Sequence, residues 1–192
     1  MARPQAFDKS EVLHNALRVF WQKGYEATSM TDLLEATGLS KSSLYNTFGS
    51  KHDLLLAAFD AYREDRQREM QCVLAQGTAR QAIDIFFRMI ITDAHAPEFR
   101  HGCMSINQAV EMAPHDPEIR SRVDEDFQRI EDALTRTIER GQAEGSVKGD
   151  RNARQLAQLM VVVFPGLQVL VRAGSNSTRL EEALALLLSY LE

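Results

Sequence analysis

Cysteine is scarce in this chain. Cys72 and Cys103 are the two among 192 residues, they lie far apart, and they form no C-x-x-C pair. The expectation is a reduced, cytoplasmic protein without a disulfide framework. Long apolar runs are also missing. No stretch of about 18 apolar residues stands out, so no membrane span is expected. The start, MARPQAFDKSE, lacks the apolar core of a signal peptide. Catalytic and metal motifs are absent as well: there is no G-x-S-x-G elbow, Gly-rich phosphate loop or H-E-x-x-H. The five histidines (His14, His52, His95, His101, His115) show no metal-ligand spacing. His101 and Cys103 could be drawn as a base and a nucleophile, but residues two apart do not face each other on a helix. The chain therefore reads as a non-enzyme with no cofactor or metal.

An excess of positive charge is the last absence. The net charge is -5, which at first sight argues against nucleic acid. Its distribution softens that objection. Residues 1–51 hold six Lys/Arg against five Asp/Glu, and the remainder holds 16 against 22. A duplex responds to charge on the docking face, not to the molecular average.

What is present is helix. Leu13, Ala16, Leu17 and Phe20 fall at i, i+3, i+4 and i+7, one apolar stripe that ends at Gly24. Ser29, with Asp32 three residues on, starts a second helix over Thr31–Thr37, stopped by Gly38. Ser40 caps a third through about Phe48, and Ser50 a fourth beginning at Lys51. Beyond Gly77 the helices lengthen: Ala79 to about Ala94, a break at His95-Ala96-Pro97, then Cys103–Ala113. Asp116-Pro117 starts a long helix running to Gly141 or Gly145. Asp150 opens the next, to about Arg172, and a last helix carries Leu184, Leu187, Leu188 and Leu191. No strand or repeat stands out. The fold class is all-α.

The second and third helices, joined by Thr37-Gly38-Leu39-Ser40, have helix-turn-helix dimensions. Leu39, Leu44 and Phe48 read as inward. Lys41, Ser42, Ser43, Tyr45, Asn46 and Thr47 read as outward, and are small or hydrogen-bonding, as a helix entering a major groove requires. The N-termini at Lys41 and Lys51 can each receive a phosphate.

These residues resemble the TetR (tetracycline repressor) family. The match runs in fixed spacing through Thr28, Gly38-Leu39-Ser40, Leu44-Tyr45, Phe48, Ser50-Lys51 and Leu54, over about residues 9–60. GCMSINQAVEMAPHDPEIR (102–120) looks like one C-terminal subtype of that family. The resemblance implies an N-terminal DNA-binding domain over 1–52 and a larger effector-sensing and dimerisation domain over 53–192. It implies DNA contacts from Thr28, Ser29, Thr31, Ser40, Lys41, Ser42, Ser43, Tyr45, Asn46, Thr47 and Lys51, with Tyr45 and Lys51 on phosphates. The implied protein is a homodimeric regulator, acting as a repressor on a palindromic operator.

Two helices, about 153–172 and 178–191, are apolar beyond the needs of one monomer and are the expected dimer contact. Pro165 and Gly166 are expected to kink the first of them. Phe86, Phe87, Met89, Ile90, Phe99, Met104, Asn107, Gln108, Glu111, Met112, Phe127 and Phe164 mix bulky apolar with polar groups, as a small-molecule effector site does. Cys103, at a helix start beside His101, is a candidate redox or electrophile sensor with a lowered thiol pKa. Some relatives with similar C-terminal segments sense reactive species through a cysteine. The rival readings are a helical ligand- or partner-binding protein without DNA activity, and a cysteine-dependent enzyme.

Overall fold

The computed structural model describes residues 7–93 and 101–192. Among them are nine helices and no strand: α1 (Lys9–Lys23), α2 (Met30–Thr37), α3 (Lys41–Phe48), α4 (Lys51–Leu74), α5 (Ala79–Asp93), α6 (Met104–Glu111), α7 (Pro117–Glu144), α8 (Ala153–Arg172) and α9 (Ser177–Ser189). The expected break at His95-Ala96-Pro97 and the pocket candidate Phe99 lie outside the described residues.

Local chemistry sets most boundaries. Ser29 and Asp32 form a reciprocal capping box at α2, and Ser50 and Asp53 form another at α4. Asp116 caps α7 by accepting from the amides of Glu118 and Ile119, with Pro117 in the first turn. Gly38 ends α2 in the left-handed region at φ 67°, where a side chain would be strained. The choice between Gly141 and Gly145 falls on Gly145, also left-handed. Gly141 is buried inside α7, where a Cβ would stand 2.5 Å from a Val147 methyl and 2.9 Å from the Ala79 Cβ. Its bare Cα lets α7 approach Ala79 and Val147 of the same chain. Asn152, rather than Asp150, caps α8. That helix passes through Pro165 as one element.

Two apolar clusters organise the molecule. The first joins α1, α2, α3 and the first half of α4 through Leu17, Phe20, Leu33, Leu44, Leu55 and Phe59, and extends to Met104, Met112 and Ile119. The division expected after residue 52 runs through this cluster. The second gathers the end of α4 with α5, α7, α8 and α9 around Phe87, Leu134, Ile138, Met160 and Leu184. Phe127 packs against both.

The last helices need one correction. By length and composition alone α8 is apolar enough to cross a membrane, but Arg154, Gln155, Gln158 and Gln168 interrupt it, so it holds no unbroken apolar run of that length. Within 178–191, expected as part of the dimer contact, Leu184, Leu187, Leu188 and Leu191 are buried within the chain and leave the contact to other residues. The bare apolar side chains are Leu159, Val162, Val169 and Leu170 on α8, Leu186 on α9, and Tyr190 just after it.

Candidate nucleic-acid interface and effector cavity

Helix α3 turns Leu44, fully buried, toward the core. Ser40 caps it, its Oγ accepting from the Ser43 amide at 3.2 Å and lying 2.8 Å from the Ser43 hydroxyl. Ser43 is thereby drawn inward and is 7% exposed, so the expectation that it faces out is wrong. The outer face is Lys41, Ser42, Tyr45, Asn46 and Thr47. Tyr45 is 41% exposed, with the Lys41 ammonium 6.0 Å from its ring centre. The Thr47 hydroxyl donates to the Ser43 carbonyl at 2.8 Å. Ser29 and Thr31 are exposed at the start of α2. Thr28 is buried, its hydroxyl donating to the Gly24 carbonyl at 2.6 Å; it holds the turn and presents nothing outward.

The charges on this face are unevenly committed. Lys23 is paired with Asp32 at 2.6 Å. That ammonium, with the Ser29 amide and hydroxyl, holds the Asp32 carboxyl down to about 2. Among the described residues neither Lys41 nor Lys51 forms an ion pair. Lys51, the first residue of α4, is half-buried, its ammonium 4.2 Å from the Tyr25 ring centre in a cation–π contact.

Behind the interface lies a cavity of about 390 Å³. Its apolar wall includes Met70, Phe86, Met89, Ile90, Ile130 and Phe164; its polar wall includes Tyr62, Cys103, Ser105, Asp126, Arg129 and Arg172. Phe86 and Phe164 stack with centroids 6.1 Å apart. Burial raises the Asp126 carboxyl, although Ser105 donates to it at 2.5 Å and the buried Arg63 lies 3.7 Å away. The cavity thus contains a carboxyl that is reluctant to ionise. A second cavity, about 420 Å³, lies between the end of α1, α6 and α8, and shares Gly102, Cys103, Gln168 and Arg172 with the first.

Residues 12–58 match the description "Bacterial regulatory proteins, tetR family", and residues 77–187 match "Tetracyclin repressor-like, C-terminal domain". The chain belongs to the TetR family. It is 33% identical over 194 residues to the uncharacterized HTH-type transcriptional regulator YezE of Bacillus subtilis (strain 168), covering 100% of both. It is 29% identical to the HTH-type transcriptional repressor ComR of Escherichia coli (strain K12), over 93% of this chain and 86% of that one. A solved structure of the TetR family regulator CifR, a cysteine mutant complexed with 26-bp double-strand operator DNA, superposes with a TM-score of 0.86 at 28% identity. That match covers 99% of this chain and 100% of CifR.

For this TetR-family regulator, the expected effector residues divide. Phe86, Met89, Ile90, Cys103 and Phe164 line the first cavity, and Cys103, Asn107 and Glu111 the second. Phe87, Met104, Gln108 and Met112 line neither, because they face the core and are buried. Phe127 lines neither because it bridges the two clusters.

Cys103 also departs from expectation, since burial pushes its thiol up rather than down. The Ile106 and Ser105 amides pull the other way but lose to desolvation. The Met104 amide is occupied by the Tyr62 hydroxyl at 3.3 Å, and that hydroxyl donates to the Cys103 sulfur at 3.8 Å. Sequence reasoning missed Tyr62, Asp126, Arg129 and Arg172. A visible signal was there for two of them: Asp126 and Arg129 sit one helical turn apart on α7, each followed by an apolar residue, Phe127 and Ile130.

Proposed function

We propose that the protein is a homodimeric repressor that reads a palindromic operator with α3 and leaves it when a small molecule fills the first cavity. The observation that carries this reading is the division of α3. Leu44 and Ser43 point inward, while Lys41, Ser42, Tyr45, Asn46 and Thr47 form one exposed polar face. CifR, of similar fold, is complexed with operator DNA, and ComR is a repressor by name. Residues 1–52 supply the DNA contacts, and 53–192 the effector cavity and the dimer contact. Ser29, Thr31, Lys41, Tyr45 and Lys51 approach the backbone, while Ser42, Asn46 and Thr47 approach base edges.

The apolar residues left bare on α8 and around α9 pair with those of a second copy, which places two recognition helices about 34–36 Å apart along the duplex. The site of action is the cytoplasm. The effector binds reversibly against Phe86, Ile90 and Phe164. The raised Cys103 thiol disfavours a fast thiolate sensor at neutral pH.

Selecting duplexes from a random pool with the purified protein tests this directly. A palindromic consensus, bound with steep salt dependence, is the expected result. Recovery of unenriched sequence at low salt would leave only a helical binding protein. Compounds that raise the protein's Tm and release the selected duplex would then define the effector.

A further inference from the structure

The geometry points to Glu111 as a positioning residue that fixes the DNA-binding helices to α6. The inference rests on the regulator reading above and adds a residue to it. Glu111 is the last residue of α6, and its Oε1 accepts from the Tyr25 amide at 2.7 Å and the Glu26 amide at 3.2 Å. Those amides belong to the turn between α1 and α2, outside any helix, 85 or more residues away in sequence. The carboxylate is seated where a side chain would otherwise stand: a Cβ on Gly24 would meet Oε1 at 2.8 Å, and Gly24 has φ +79°. One oxygen thus holds two backbone donors in a charge-assisted contact.

What is held is the peptide that carries the Tyr25 ring. That ring stacks on Phe20, meets His52 edge-on, and lies under the Lys51 ammonium. The grip on this turn therefore also locates a cation at the α4 N-terminus.

The opposite end of α6 belongs to the first cavity. Tyr62 accepts from the Met104 amide, Ser105 donates to Asp126, and Cys103 and Ser105 line the wall. Midway, Asn107 accepts from Arg172 at 2.7 Å, and Arg172 lines both cavities. A helix of two turns, about 12 Å long, is too short to flex between its ends. Displacement of its cavity end carries Glu111 with it and releases or redirects the turn.

The test compares Glu111→Ala and Glu111→Gln with wild type in the full chain, using a duplex that the wild-type protein selects from a random pool. Loss of the acceptor should weaken binding about ten-fold or more. The salt slope should stay the same, because no phosphate contact is removed. Amide exchange at Tyr25 and Glu26 should accelerate while exchange at Ala16 to Phe20 does not. Glu111→Gln keeps an acceptor oxygen and should restore most of the affinity and protection. A purely structural role would accelerate exchange throughout α1 and would not separate affinity from salt slope.

Wild-type affinity in Glu111→Ala overturns the inference, and so does a glutamine variant as weak as the alanine one. Should Glu111→Ala fail to fold, exchange in the wild type decides: Tyr25 and Glu26 must exchange far more slowly than the neighbouring Ala27, and equal rates overturn the grip. A wild-type protein that selects no duplex overturns the DNA-binding reading, and the positioning role falls with it.

Discussion

Nε2 of His52 stands 2.5 Å from Oδ2 of Asp116, joining the first turn of α4 to the cap of α7. The other oxygen of the same carboxylate accepts from the Glu118 and Ile119 amides. Asp116 thus serves a helix terminus and a contact between helices at once. Asp116→Ala should cost about 1–2 kcal/mol as a lost cap, and His52→Ala about 0.5–1 kcal/mol as a partly exposed pair. Asp116→Asn retains the cap and should lose less than Asp116→Ala. Urea unfolding of the three variants checks this, and equal losses for Asp116→Asn and Asp116→Ala would refute the capping role.

Acid should weaken the fold in a defined window. Asp32 is held at about 2 by Lys23 and Ser29, against an ordinary value of 3.8. Asp53, Glu125 and Glu144 are also lowered, chiefly by hydrogen bonds from Ser50, Arg63 and the Ala79 amide respectively. For Asp116 burial works the other way, and the Ile119 amide and His52 outweigh it. A folded value below the unfolded one gives stability that is complete above the unfolded value and lost as pH falls through the folded value. Stability should therefore hold down to about pH 4 and decline toward about pH 2. Asp126 has the opposite sign, being raised by burial: its ionisation opposes folding at higher pH, and that cost is gone once pH has fallen to the ordinary 3.8, before most of the decline. Denaturant titrations at stepped pH should show a shallower decline for Asp32→Asn.

On the recognition face, Lys41→Ala should weaken binding to every duplex and reduce the salt slope by about one. Tyr45→Phe should cost about 1 kcal/mol with little change in sequence preference, as a lost hydroxyl contact. Asn46→Ala should instead relax the preference at one base pair. Ser43→Ala removes a buried hydroxyl and should show its effect in Tm. Fluorescence anisotropy on the selected duplex separates these classes. A change in base preference from Ser43→Ala would contradict its inward placement.

The two sides of the last helices should respond differently to change. Val162 is 76% exposed and Leu186 65%, whereas Leu184 is fully buried. Val162→Glu or Leu186→Glu should yield folded monomers with little operator affinity. Leu184→Ala should cost about 2–5 kcal/mol as a core cavity, without a specific effect on association. Sedimentation and circular dichroism report the two outcomes, and a dimeric Val162→Glu, Leu186→Glu double variant would remove α8 and α9 from the contact.

The two thiols should be separable by reagent. Cys72 is exposed and Cys103 is only partly so, with a raised thiol. At neutral pH an electrophile should label Cys72 first, and labelling of Cys103 should accelerate as pH rises. Peptide mass mapping over time decides, and faster modification at Cys103 would restore the sensor reading.

The sequence disclosed what was written within four residues. Ser29, Ser40, Ser50 and Asp116 announce their helices because a cap is a local hydrogen bond, and Gly38 and Gly49 stop theirs in the same way. Ser43 escaped because its neighbour Leu44, not its own polarity, decides which side of α3 is inward. Leu187 escaped because an apolar residue on an apolar helix does not say which copy buries it. Cys103, Glu111 and Arg63 take their roles from partners far away in the chain. Arg63, buried on a helix that reads as charged, has a local partner in Asp60, but its contacts with Glu125 and Asp126 reach more than 60 residues along the chain. No periodicity encodes such long-range pairings.

Gly141 touches neither the recognition face nor the lining of either cavity, yet it leaves no room for one more carbon between α7, Ala79 and Val147. A mutational scan scored only by loss of regulation would mark this position as strongly as Lys41. The two failures differ in kind. A Gly141 variant should lose stability by overpacking, while a Lys41 variant should stay folded and bind DNA more weakly. Scoring abundance beside regulation is what distinguishes a scaffold position from a reading position.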